Sequence, residues 1–193
     1  PAGVTVTLDL NGNTITSNDG TAYYIDNDGN LTITDSSTDK NGGITVAQTS
    51  TSNTSNVQCI NNDAALTVEK GNLTASSKGG TAYAIYSKGS SVTLNGGNFA
   101  ANYNNKDGVY QAQPLGFGGT NATVTINNDV TVTAMSISEK LSTRCATIYT
   151  MSSSDNLQVT INGGTFTSTR TVGNNGASVL RAAGEKVKVT IKG

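Results

Sequence analysis

The 193-residue chain carries 12 Lys and Arg against 13 Asp and Glu, a net charge of −1, and no histidine. Charged residues make up 13%, about half the usual share of a soluble domain. That balance leaves no basic patch for nucleic acid, no apolar run long enough to cross a membrane as a helix, and no imidazole to activate a nucleophile.

The bulk of the chain is Thr, Asn, Ser and Gly, with 22 Gly and only 2 Pro. Thr favours strands, while Asn and Gly favour turns that need positive φ. Helix-forming runs are nearly absent, so the composition predicts an all-β protein of many short strands. The chain starts at Pro1 with no secretory leader, which reads as a mature or excised piece of a larger protein. Four Asn-x-Ser/Thr sequons begin at Asn30, Asn53, Asn72 and Asn121. So Asn- and Thr-rich a chain produces them by chance.

In chain order, VTVTLDLNGN (4–13) opens a pattern in which either Thr7 or Asp9 fills the central slot of an apolar-Thr-apolar triplet. The triplet then recurs as LTI (31–33), LTV (66–68), VTL (92–94), VTI (124–126), VTI (159–161) and VTI (189–191). The central threonines from Thr32 to Thr190 are 35, 26, 32, 35 and 30 residues apart. Two copies are nearly the same sentence: SSVTLNGGNFAAN (90–102) and LQVTINGGTFTST (157–169). A second strand follows each triplet, with core residues Ile15, Ile44, Leu73, Phe99, Val132 and Phe166. A third precedes the next triplet: AYYI (22–25), VQCI (57–60), AYAI (82–85), PLGF (114–117), CATI (145–148) and SVLR (178–181). Its expected core residues are Ile25, Ile60, Ile85, Phe117, Ile148 and Leu180.

A unit of about 30 residues with three strands and three turns is a coil of a solenoid. Strands of equal rank then stack in parallel, ~4.8 Å apart, with apolar residues inside and Thr outside. A β-sandwich gives no reason for one triplet and one turn to recur. The variable repeat length is expected in a single loop, between the second and third strands. The expected fold is one domain over 1–193, of about seven coils. The end coils expose apolar interior and strand edges, and VTIKG stops inside a repeat. Neighbouring coils or a capping domain in a parent protein are therefore expected.

LDLNGNTIT (8–16) and LTITDSS (31–37) resemble the repeats of bacterial secreted and surface proteins, and the chain is similar to right-handed parallel β-helices of the pectate-lyase-like superfamily. The resemblance covers nearly the whole chain. It implies a stacked Asn ladder, matched by Asn11, Asn95, Asn127 and Asn162, with Glu69 departing from it. It also implies that a polysaccharide would lie across the outer face of one sheet, walled by the longest loops. By loop length that is the third-strand sheet. Its outward positions after the core residue are Asp26, Asn61, Tyr86, Gly118, Tyr149 and Arg181. Those before it are Tyr24, Cys59, Ala84, Gly116, Thr147 and Val179.

A calcium-dependent lyase of that family needs a stack of carboxylates, and a hydrolase needs two or three close Asp residues. The face supplies Asp26 alone. Asp28 and Asp63 share a turn on adjacent coils, with Asp26 beside Asn61. A weak calcium site and ordinary Asx turns are the two readings; the Asx turns are preferred, and no metal or other cofactor is assigned. The outward tyrosines offer flat faces for sugar rings with polar tips. The expected carbohydrate-binding residues are Tyr24, Asp26, Asn61, Tyr86, Tyr149 and Arg181. Tyr103 and Tyr110 lie in the longest loop. Ice binding would need two ranks of Thr, and the second rank reads Thr34, Glu69, Asn95, Asn127, Asn162, Lys192.

Cys59 and Cys145 fall on third strands three coils apart, ~14 Å by strand spacing. A disulfide wants Cα atoms roughly 4.4–6.8 Å apart, so both are expected to be unpaired. Two functions stay open. One is a non-catalytic, extracellular or bacterial surface module for display or adhesion, whose partner is a polysaccharide or a host glycan or protein. The other is a carbohydrate-active enzyme on the same scaffold, drawing on loop residues such as Asp107, Glu139 and Arg144.

Overall fold

The computed structural model describes residues 3–18, 23–140, 142, 144–171 and 176–192. The expected AYYI strand begins at Ala22, outside the described residues. The first turn holds β1 (Thr5–Asp9), β2 (Thr14–Ser17) and β3 (Tyr23–Asn27). The second holds β4 (Asn30–Thr34), β5 (Gly43–Gln48) and β6 (Val57–Asn62), and the third β7 (Ala65–Val68), β8 (Asn72–Ser77) and β9 (Ala82–Ser87). In the next two turns the first and second strands run together, as β10 (Ser91–Tyr103) before β11 (Leu115–Phe117) and as β12 (Thr123–Ser136) before β13 (Cys145–Thr150). The last turn holds β14 (Gln158–Ile161), β15 (Thr165–Arg170) and β16 (Ala177–Arg181), and β17 (Lys188–Ile191) starts another.

The result is a parallel β-solenoid of about six turns. The expectation of about seven counted the opening triplet and the closing one as full coils, but β17 stands without a second or third strand after it. All pairings between strands are parallel. Each coil bonds through its backbone to the coils above and below, so the central strands leave no unpaired ladder.

The first face stacks Thr7, Thr32, Thr67, Thr93, Thr125, Thr160 and Thr190 in one rank. Thr7, not Asp9, fills the opening slot. The apolar neighbours of these threonines, such as Ile33, Leu94 and Ile126, are fully buried. The second face stacks Ile15, Ile44, Leu73, Phe99, Val132 and Phe166 as expected. At the corner between these faces the chain turns on glycine. Gly97 has φ 110°, and a Cβ there would sit 2.3 Å from the Gly71 carbonyl oxygen.

The Asn ladder forms at this corner with two changes of membership. Asn162 donates to Asn127, and Asn127 to Asn95, both at 2.7 Å; Asn95 donates to Glu69 at 2.8 Å. Glu69 belongs to the ladder because a carboxylate accepts as well as an amide oxygen does. Asn11 does not belong: pairing places Asp9 opposite Thr34, and Asn11 turns away with φ 43°. A second ladder runs inside the solenoid, where Asn27 donates to Asn62 at 2.6 Å and Asn62 to Ser87 at 2.8 Å.

Loop length does not vary at one corner only. Residues 35–42 are inserted between β4 and β5, at the first-to-second corner. Asp35, 2% exposed, closes this insertion by accepting the amides of Gly12, Ser37 and Gly42. Burial pushes its carboxyl up. The Ser37 hydroxyl and the three amides outweigh that and hold it at about 2.

The third face departs most from simple alternation. Cys59 and Ile60 are both fully buried, as are Ala84 with Ile85 and Thr147 with Ile148. Two consecutive inward residues slip the phase, so Cys59, Ala84 and Thr147 are not outward positions. In β11 it is Leu115 that stacks on Ile85 and Ile148, with Gly116 in the outward rank. Phe117 stacks on Ser87 and Thr150 instead, and Gly118 leaves the rank. Both cysteines are free and buried. Burial pushes the Cys59 thiol up to about 12, so it stays a neutral packing group.

Candidate functional site

Asp26, Asn61, Tyr86, Gly116, Tyr149 and Arg181 form one continuous rank along the outside of the third face. Five strand steps of ~4.8 Å make the rank about 24 Å long. Five of the six expected carbohydrate-binding residues therefore share a line. Tyr24 does not. It stands one position earlier, in the rank of the buried Cys59 and Ala84, and is 42% exposed on β3, the edge strand of its sheet.

The phase slip adds a residue that strict alternation hides. Tyr83 packs edge-on against Tyr86, with ring centres 5.0 Å apart. Its ring covers Gly116: a Cβ on that glycine would lie 2.8 Å from Tyr83 Cε1. Glycine at 116 is thus what lets Tyr83 lie between Tyr86 and Tyr149. Burial raises the Tyr83 phenol well above its ordinary pKa, and the neighbouring tyrosines add to this while Arg181 opposes it. The phenol stays neutral.

Two cations flank the aromatic group. The Arg181 guanidinium lies 4.9 Å from the centre of the Tyr149 ring, and the Lys88 ammonium 5.4 Å from that of Tyr86. Arg181 also donates to Gln111 Oε1 at 3.2 Å, which fixes the guanidinium plane. At the other end of the rank Asn61 donates to Asp26 at 2.7 Å and to Asp63 at 3.5 Å. The carboxylates of Asp26, Asp28 and Asp63 lie within 4.8 Å of one another, all exposed. The shared amide offsets part of their repulsion.

Sequence reasoning missed Tyr83, Lys88 and Gln111. A signal was present for Tyr83: a small residue stands directly before the core Ile in Cys59-Ile60, Ala84-Ile85 and Thr147-Ile148. A size limit at that position is the mark of an interior site. The loop residues named for a hydrolytic alternative do not gather on this face. Glu139 pairs with Lys106 at 3.3 Å, the Asp107 amide donates to Asn105, and Arg144 is exposed at the start of β13.

The chain matches no protein-family model. It matches no curated protein and no solved structure either. Among the described residues, no helix is long and apolar enough to cross a membrane.

Proposed function

We propose that the chain is a non-catalytic display module of the pectate-lyase-like β-helix type, extracellular or on a bacterial surface, whose third face binds glycan. The observation that carries this is the rank Asn61–Tyr86–Gly116–Tyr149–Arg181, with Tyr83 set into it. Tyrosine rings present flat apolar area to the CH face of a pyranose and a hydroxyl to its edge. Asn61, Gln111 and Arg181 supply donors and acceptors for sugar hydroxyls. A rank ~24 Å long suits an extended oligosaccharide rather than a single ring. The LDLNGNTIT and LTITDSS segments, which resemble repeats of secreted bacterial proteins, support the setting. The carboxylates of Asp26, Asp28 and Asp63 gather at the end of the rank beyond Asn61, so the aromatic stretch from Tyr86 to Arg181 is what supports the binding reading.

The test is a glycan array probed with the whole chain and with the Tyr86→Ala, Tyr149→Ala double variant. Both side chains are partly exposed, so the variant is expected to stay folded. Loss of about 1.4 kcal/mol of stacking would weaken the bound glycan tenfold. Binding of the same glycans at unchanged strength would refute the placement.

A further inference from the structure

A cavity of about 270 Å³ opens at the corner between the first and second faces, outside the tyrosine rank. Four consecutive coils build it. Lys40 comes from the 35–42 insertion, Lys70 and Gly71 from the β7–β8 turn, Gly97 from the middle of β10, and Asp129 from the middle of β12. Gly97 packs directly on Gly71, where a Cβ would lie 2.3 Å from the Gly71 carbonyl oxygen, so backbone forms this part of the lining.

Two cations face this space. The Lys70 ammonium beside it lowers the pKa of Lys40, and burial adds to the effect, while Asp129 and Asp35 oppose it. Among the described residues, neither Lys40 nor Lys70 has a carboxylate within ion-pairing distance. Asp35, the acid on the same insertion as Lys40, is already committed to three backbone amides. Lys40 is also held in place by its backbone. It adopts φ 51°, its amide donates to Ser37 Oγ at 3.1 Å, and its carbonyl accepts from Asn72 at 3.4 Å. In a chain of net charge −1, two lysines thus converge on a concave surface without an ion pair to either.

We propose that this corner binds an acidic sugar residue, its carboxylate or sulfate bridging the Lys40 and Lys70 ammonium groups. Two ammonium groups and an oxyanion form charge-assisted hydrogen bonds that relieve the repulsion between the lysines. Asp129 on the same wall disfavours a ligand that is anionic throughout, but accepts hydrogen bonds from hydroxyls. An acidic group on a hydroxyl-bearing ring satisfies both walls. The volume lies just under the ~300 Å³ at which pockets for drug-sized ligands begin, which suits one charged sugar ring.

The test is calorimetric titration of the whole chain with an oligogalacturonate, with neutral dextran and with inorganic sulfate. The oligogalacturonate is expected to bind, more weakly as salt rises, and dextran to give no heat at this site. A Lys40→Asn, Lys70→Gln double variant is expected to bind the uronate at least tenfold more weakly. Asn tolerates the left-handed backbone at position 40, and the exposed Lys70→Gln change alone gives a second variant should the double one misfold. The Tyr86→Ala, Tyr149→Ala protein is expected to keep this binding, which separates the corner from the third face. No heat with the uronate, or equal binding by the lysine variants, would overturn the proposal. Sulfate held as tightly as the uronate would overturn the assignment to a sugar.

Discussion

The first and third faces are built from the same chemistry but keep different order. On the first face every strand from β1 to β17 alternates without a slip, and seven threonines share one rank. On the third, Cys59-Ile60, Ala84-Ile85 and Thr147-Ile148 each turn two consecutive residues inward. The connection explains the contrast. Apart from the 35–42 insertion, first strands pass to second strands through corners of no more than four residues, so one phase propagates. Third strands follow loops of unequal length, and each re-enters the stack with a phase set by packing rather than inherited. A period of two therefore locates inside and outside only where a strand's entry is fixed.

The largest effect that probes this contrast is a cavity in the regular part. Leu94 is fully buried in β10, with coils stacked on both sides. Leu94→Ala is expected to destabilise by about 2–5 kcal/mol in denaturant unfolding. The matching truncation at Ile191, 71% exposed on the terminal β17, is expected to stay within about 0.5 kcal/mol. Equal costs at both positions would mean that burial in the stack does not set stability.

A smaller effect tests the phase slip itself. Strict alternation makes Ala84 an outward residue, where leucine would be harmless. The structure places it inside, against a filled core. Ala84→Leu is expected to cost about 1–3 kcal/mol by overpacking. Thr67→Leu, outward on the first face, should change stability by less than about 0.5 kcal/mol. A harmless Ala84→Leu would restore simple alternation and dissolve the Tyr83–Tyr86 contact.

The same contrast separates what residue order alone reveals from what folding adds. The triplet and its spacing were enough to place six of the seven first-face threonines, from Thr32 to Thr190, and all six second-face core residues, because one side of each strand is apolar and the other is polar. The opening slot, Thr7 or Asp9, was decided only by the pairing of β1 with β4. The same pattern could not decide between Leu115 and Phe117 in PLGF. Both are buried, and a shift by two residues leaves every side chain on its own face. Gly116 rather than Gly118 consequently lies between the tyrosines. Asp26, Asn61, Tyr86, Tyr149 and Arg181 were legible as a line, since each follows an Ile or Leu. Tyr83 was not, because its outward position depends on the slip. The Lys40–Lys70 corner was hidden for another reason: 30 residues of sequence separate the two, and only the folded insertion brings them together.

The smallest expected effect lies on the first face, where the amide ladder runs along a half-exposed corner. Asn127 accepts from Asn162 and donates to Asn95, each at 2.7 Å. Asn127→Ala removes both bonds and is expected to cost about 1 kcal/mol, since water replaces part of what is lost. Asn127→Asp separates the two roles. A carboxylate can still accept from Asn162 but has no proton for Asn95. Thermal unfolding should therefore rank wild type above Asp, and Asp above Ala. If Asp and Ala unfold together, the acceptor half of Asn127 contributes nothing. If Ala unfolds with wild type, the corner is held by Gly97 against Gly71 and the ladder only decorates it.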